Sequence, residues 1–398
     1  MPAPPGSPPE ATGAALHEVK WGPAWRAALY AFALSRVLVL VSAALALAYA
    51  QQWTPGSLEE QTLRLFTPES LAAIEARALG NDGGWYLEIA REGYERRAFD
   101  ASEQANWAFF PLHPWIWRGA MALGASPWPA ALVLAHAFFL LALVQLHRWV
   151  QSVRGPDVAT RAVLCVALFP TAYAFSLPLT ESMFLFLLAS SLLAMEQARW
   201  GAASGFAALA SGSRTVGALL APVLWLAMGR DASVGWARRA ALALAATAGL
   251  LVFMAVLWKA TGNALAFADI QEAWGRDGGS LTKHFRRWAS DPLLIAEAWN
   301  VRWINNASAL FGIAGSWWLW RRGRRALAGF AFLCVMLPWS TGTLVSMGRY
   351  VLVCAPLFLA LACWLARPER LLAWLLASAF GLAWMSAHFV LGSSFAGA

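Results

Sequence analysis

Apolar residues in this chain come in runs close to bilayer length, joined by short turns in which arginine recurs mostly on one side. The first run covers about 25–50, with Lys20 and Arg26 on its flank and Arg36 inside it. A second begins near Trp128 and extends to about 149. Later runs read as about 161–177, 180–198, 201–213, 215–229, 237–258, 303–320, 326–341, 350–366 and 371–391. That gives roughly eleven spans. If 107–124 also crossed, Arg148, Arg154 and Arg161 would fall outside, against the positive-inside rule; that stretch therefore reads as a juxtamembrane helix. The inner turns then carry Arg199, Arg230, Arg238, Arg239, Arg321, Arg322, Arg324, Arg325, Arg367 and Arg370. The runs 201–213 and 215–229 are short for a bilayer and suggest a broken helical hairpin.

Residues 1–24 hold no apolar run and read as a disordered cytosolic tail, and the run after them is too long for a secretory signal. Residues 25–398 read as one transmembrane domain. Two long outer loops interrupt it, 51–127 and 259–302, and the first carries ten of the 22 acidic residues. The expected fold class is all-α, a polytopic membrane protein with juxtamembrane helices in the first outer loop.

Composition agrees with that pattern. Of 398 residues, 59% are hydrophobic and 13% charged, with a mean hydropathy of +0.52, where a soluble domain carries roughly a quarter charged residues. The net charge of +8 sits mostly in turns, so membrane topology accounts for it without a nucleic-acid partner. Cys165, Cys334, Cys354 and Cys363 lie in apolar runs with no metal-ligand spacing and read as packing residues. The 24 Trp and 22 Phe suit interfacial belts, and some can stack on a sugar or a prenyl chain.

Candidate chemistry gathers on the outer side. Asp82, His113, Glu181, Arg214, Gln271, Arg276 and Arg349 all fall there, and an ionisable group at membrane depth costs about 2.5–3.5 kcal/mol on insertion scales unless it is partnered. Asp82 either caps the helix that follows or acts as a catalytic carboxylate. Gly83 and Gly84 permit a tight turn and close approach of a ligand, and Trp85 and Tyr86 offer a stacking face or an interfacial anchor. His113, between two prolines, is either an interfacial histidine or a donor to phosphate. Glu181 can cap its helix or pair with a cation. Arg214 and Arg349 can each grip phosphate oxygens bidentately or pair with Glu181 or an outer-loop acid. Lys283, His284, Arg286 and Arg287 suit lipid headgroups. With no nucleotide-binding motif and no long cytosolic domain, any donor must come from the membrane.

Six segments, in order, resemble the PIG-V-type mannosyltransferases, GT-C-fold membrane enzymes that use a lipid-linked sugar. They are Asp82 to Tyr94 (DGGWYLEIAREGY), Ala108 to Pro114 (AFFPLHP), Phe169 to Ala172 with Thr180 to Phe184, Ser213 to Gly217, Gly262 to Arg276, and Ser346 to Tyr350 (SMGRY). His113 stands where that family usually has Tyr. The resemblance covers nearly the whole length after Trp25. It implies a polyprenyl-phosphate-mannose type of donor, a site facing out of the cytoplasm, and Asp82 as the catalytic carboxylate. Arg349, Arg214 and His113, in that order, become candidates for the donor phosphate. Trp85, Tyr86, Glu181, Gln271, Trp274, Arg276 and Tyr350 become candidates for the substrate groove. No cofactor is required; a divalent metal is compatible with the chemistry, but arginines can supply the charge. The Ala/Trp-rich chain without a large lumenal insertion points to a bacterial cell membrane and to a lipid or glycan acceptor other than a GPI precursor. The competing expectations are a lipid or solute transporter or flippase, and the same fold acting on a different sugar; the transporter would show paired interrupted helices in two halves, where only one short-helix hairpin is evident.

Overall fold

In the computed structural model of the chain, the described residues are 21–52, 64–276, 282, 286, 289–292, 296–297 and 300–392. The first apolar run forms α1 (Trp21–Gln52), which starts a few residues before the expected boundary; residues 1–20 of the expected tail lie outside the described set. Its lipid-side face keeps Leu29, Tyr30, Val37 and Leu40 exposed, and its other face packs on α5 (Pro127–Arg154) and on α17 (Pro368–Val390). Leu372, Leu376 and Phe380 are likewise exposed at four-residue spacing on α17. One apolar face thus meets protein and the other meets solvent or lipid.

Among the described residues three helices are long and apolar enough to cross a membrane alone: α1, α5 and α17. A fourth crossing results if α10 (Trp236–Ala245) and α11 (Ala248–Thr261), bent by 48°, count as one span. Helix length therefore does not return the expected count of about eleven, because several runs that read as single spans are broken. The run 161–177 ends as α6 (Pro156–Ala167), after which the chain turns at Pro170 and forms a 3-10 segment, Ala172–Ser176. The run 350–366 divides into α15 (Met347–Leu352) and α16 (Ala355–Trp364), with Pro356 opening the second helix. The bend before α11 coincides with close packing: a Cβ on Gly249 would lie 2.2 Å from the Ala208 carbonyl oxygen and 2.4 Å from the Gly212 nitrogen.

The remaining elements are short. α7 (Glu181–Glu196) is buried on nearly every side. α8 (Trp200–Ser211), a 3-10 segment (Thr215–Leu219) and α9 (Leu220–Met228) form the hairpin expected from 201–229. α13 (Arg302–Arg321) and α14 (Arg325–Trp339) form a second antiparallel pair. The stretch 51–127, expected as the first outer loop, contains α2 (Pro68–Leu79), α3 (Asp82–Arg91) and α4 (Leu112–Ala122); α4 lies within the stretch 107–124 that was expected to be helical. The second outer loop contains α12 (Ala266–Asp269) and two antiparallel two-residue strands, β1 (Ala296–Glu297) and β2 (Asn300–Val301), a small departure from an all-α fold.

The basic turns gather at one end of the bundle. Arg324 pairs with Glu196 at 3.4 Å, and Arg161 donates to the Ala362 carbonyl. At the opposite end lie the C-terminus of α1, the N-terminus of α7 and all the outer-loop helices, with Arg77 of α2 donating to the Phe389 carbonyl of α17. Inside the bundle, Arg36 supports the break after α6. It donates to Ser176 Oγ at 2.6 Å and to the Ala172 carbonyl at 2.9 Å, and lies over the Phe139 ring. An intramembrane cation is thereby satisfied by the backbone and hydroxyl groups that the broken helix leaves open.

Candidate active site

Asp82 owes its position to the turn between α2 and α3. Thr67 caps α2, accepting from the Ser70 nitrogen, and the chain reverses at Gly80 and Asn81. A Cβ on Gly83 would lie 2.3 Å from the Ala78 carbonyl oxygen and 2.7 Å from Pro178 Cγ; on Gly84 it would lie 2.6 Å from the Leu79 oxygen. The glycines therefore press the start of α3 into the end of α2, and at Gly83 the close neighbour is protein rather than ligand. Asp82 is the first residue of α3 and its carboxylate does not cap the helix. Oδ2 instead accepts from Arg349 Nη1 at 2.7 Å. At the far end of α3, Arg118 of α4 donates to the carbonyls of Ala90 and Arg91, satisfying acceptors that a helix C-terminus leaves open.

Glu181 opens α7 directly after the broken segment that Arg36 supports. It too leaves its helix end uncapped. It is 0% exposed, and its Oε1 takes Arg349 Nε and Arg214 Nη1, both at 2.9 Å, while Oε2 has no hydrogen-bond partner among the described residues. Arg214 Nη1 also lies 3.2 Å from Thr180 Oγ1. The four side chains form a row of alternating sign: Asp82, Arg349, Glu181, Arg214.

Tight backbone contacts hold both guanidinium groups. Before α15, Ser346 takes a left-handed conformation, φ 64°, and Gly348 sits where a Cβ would come within 2.7 Å of Thr171 Cγ2. Thr171 donates to the Gly348 carbonyl, and the Gly348 nitrogen donates to Asn305 Oδ1. On the other side, a Cβ on Gly217 would lie 2.3 Å from the Ala210 backbone, so this glycine lets the 3-10 segment after Arg214 fold back onto α8.

The row borders a cavity of about 500 Å³ lined by Asp82, Arg214, Arg349 and Tyr350, with Gln271, Trp274 and Arg276 on the second-loop side. Arg276 Nη1 donates to the Tyr350 hydroxyl at 3.1 Å and to Gln271 Oε1 at 3.3 Å, and Arg214 lies over the Tyr350 ring. Trp85 stacks on Phe109, and Trp274 meets both edge-on at 6.1 Å. Tyr86 lines the cavity.

Three sequence candidates stand elsewhere than expected. Glu181 lies beneath the cavity wall, as a counter-ion rather than a groove residue. Trp85 stands behind Phe109. His113 is 1% exposed, packed between Tyr86 and Trp117, and does not line the cavity. Among the described residues neither of its ring nitrogens has a hydrogen-bond partner, and burial pushes the imidazole down to about 4, a poor basis for a phosphate-binding cation. Of the expected headgroup contacts, Arg286 is exposed, and Lys283, His284 and Arg287 lie outside the described residues. Thr180, Ser213 and Phe267 line the cavity although they were not among the site candidates; all three lie in segments that carry the family resemblance, which was the available signal. Among the described residues no group of three or more His, Cys, Asp or Glu side chains converges as a metal site would.

A scan of protein-family models and a search of curated proteins find no match to this chain. Three solved structures align with 90–93% of it, at 15–16% identity. They are the oligosaccharyltransferase of Archaeoglobus fulgidus in the apo form (TM-score 0.47), the same protein with Zn and sulfate (0.43), and the archaeal oligosaccharyltransferase AglB from Archaeoglobus fulgidus with an inhibitory peptide and a dolichol-phosphate (0.41). The chain spans about half the length of these proteins, covering 53–56% of them.

Proposed function

We propose that this chain is a GT-C-type membrane glycosyltransferase of the bacterial cell membrane. It moves a hexose, mannose by the resemblance above, from a polyprenyl phosphate to a hydroxyl of an extracytoplasmic lipid or glycan acceptor. The observation that carries this reading is Asp82: a carboxylate, 35% exposed, at the wall of a cavity that three guanidinium groups also line. The basic turns at the opposite end of the bundle support a site facing out of the cytoplasm.

The chemistry follows from the geometry. Arg349 holds Asp82 by Oδ2, and Oδ1 has no hydrogen-bond partner among the described residues, leaving it free for an acceptor hydroxyl. The acceptor oxygen attacks the anomeric carbon as its proton passes to Asp82, and the bond from that carbon to the phosphate oxygen breaks with its electron pair leaving on the phosphate. A phosphate leaving group needs charge stabilisation more than a proton, so one carboxylate and a set of cations suffice for a single inverting displacement. A glycosidase needs a second carboxyl to protonate the departing oxygen. Glu181, buried under two arginines, is not placed for that task. The test uses membranes supplied with polyprenyl-phosphate-mannose. Asp82→Asn should abolish transfer while the protein remains folded, and full turnover by that variant would remove Asp82 from the mechanism.

A further inference from the structure

Counter-charge is unevenly shared among the three cavity arginines. Arg349 is held by two carboxylates, Asp82 and Glu181, and Arg214 shares Glu181 and has Thr180 besides. Arg276 contacts neutral oxygens only, through Nη1, and its Nε and Nη2 have no hydrogen-bond partner among the described residues. Its position is built by Gly275, which turns left-handed at φ 68° so that the Arg276 nitrogen returns to the Gln271 carbonyl at 3.1 Å. The side chain then reaches Tyr350, whose ring Arg214 covers from another side. Among the described residues three guanidinium groups face two carboxylates across the cavity, and of the three only Arg276 has no carboxylate in contact, Asp82 acting on it from a distance.

We propose that Arg276 is the principal seat of the donor phosphate, and that Arg349 is a positioning residue that orients Asp82. This assignment rests on the function proposed above. An anion approaching Arg349 or Arg214 must compete with a carboxylate already 2.7–2.9 Å from the guanidinium. At Arg276 it displaces a neutral amide oxygen 3.3 Å away and gains a charge-assisted bond. One phosphodiester carries one negative charge, matching the excess of one guanidinium over the carboxylates among the described residues of the cavity. The oxygen of Tyr350 accepts from the guanidinium, and Trp274 lines the same cavity, an apolar face for the adjoining sugar or prenyl carbon.

The test is donor KM and kcat for the full-length protein in membranes, with equilibrium binding of sugar-free polyprenyl phosphate measured alongside. Arg276→Gln should raise the donor KM and weaken phosphate binding by about 10- to 100-fold, the loss expected of a hydrogen bond to a charged group. Arg276→Lys should recover part of this, because it keeps the charge but not the fork. For both variants kcat should change by only a few-fold. Arg349→Lys should show the opposite split, with kcat reduced and KM little changed. Unchanged KM and binding in Arg276→Gln, or the KM effect appearing at Arg349 instead, overturns the assignment. If the unaltered protein binds no polyprenyl phosphate, the donor reading itself fails, a result separable from one in which wild-type binding survives Arg276→Gln.

Discussion

Glu181 is where the energetic argument is sharpest. Glu181→Gln keeps the shape of the side chain and removes one charge from beneath two guanidinium groups. The carboxylate is 0% exposed, and both ion pairs are 2.9 Å long with arginines that are 13% and 11% exposed, so water screens them little. Removing one partner from a buried pair typically costs about 3–5 kcal/mol, because the remaining charges are left uncompensated. The lower half of that range applies here, since the adjacent cavity admits some solvent and Asp82 still neutralises Arg349. The assay is thermal unfolding of purified protein in detergent, followed by intrinsic tryptophan fluorescence. Glu181→Gln should unfold at a clearly lower temperature, and adding Arg214→Gln should restore part of the loss, because the double change removes the stranded cation. A stability equal to wild type would refute the view that Glu181 is a buried counter-ion. So would a double variant whose losses simply add.

Two further outcomes follow from the geometry around the row. Gly83→Ala forces a methyl into the Ala78 carbonyl and Pro178, which should displace the start of α3 and lower turnover at least tenfold; Gly119→Ala on α4, with nothing within 4 Å, is the control and should leave turnover unchanged. His113 titrates near 6.5 in an unfolded chain and about 4 in the fold, so its neutral form is favoured by folding. Its contribution is complete above pH 6.5 and is lost as pH falls through 6.5 toward 4, roughly 3 kcal/mol over that window. Unfolding temperatures from pH 7.5 to 4.5 should fall more steeply for wild type than for His113→Phe, and equal slopes would contradict this.

The sequence showed the membrane character and the basic turns that gather at one end, because hydropathy and charge asymmetry depend on local composition alone. It also placed Asp82, Arg214, Arg276 and Arg349 on one side. It could not show which charge neutralises which. Asp82 and Arg349 are separated by 267 positions; Asp82 had a local alternative as a helix cap, and for Arg349 the sequence left open phosphate, Glu181 or an outer-loop acid without saying which acid. The breaks after Ala167 and at Val353 were missed for a related reason. A window of apolar residues reads as one span whether or not the helix inside it is continuous, since the partners that permit a break, such as Arg36 for the Ala172 carbonyl, lie far away in sequence. His113 misled in the opposite way, as a lone polar residue in an apolar stretch whose side chain turns inward against Tyr86 and Trp117.

The broken helices and the charge row depend on one another. A continuous helix satisfies its own backbone and presents no terminal groups at membrane depth, so it cannot seat a cluster of this kind without long side chains reaching from its flank. Here α6 stops, α7 begins at Glu181 and α15 is only six residues long, which brings turns and a helix N-terminus to the level of the cavity. Those ends require polar partners, and the polar residues require neutralisation. Arg36 meets the first need at Ala172, and the Asp82–Arg349–Glu181–Arg214 row meets the second, because its alternating charges sum to zero. A neutral row can be buried beside apolar helices at far smaller cost than four separate ions. Among the described residues Arg276 stands outside that row, which is why the donor phosphate proposed above would be the group that completes it.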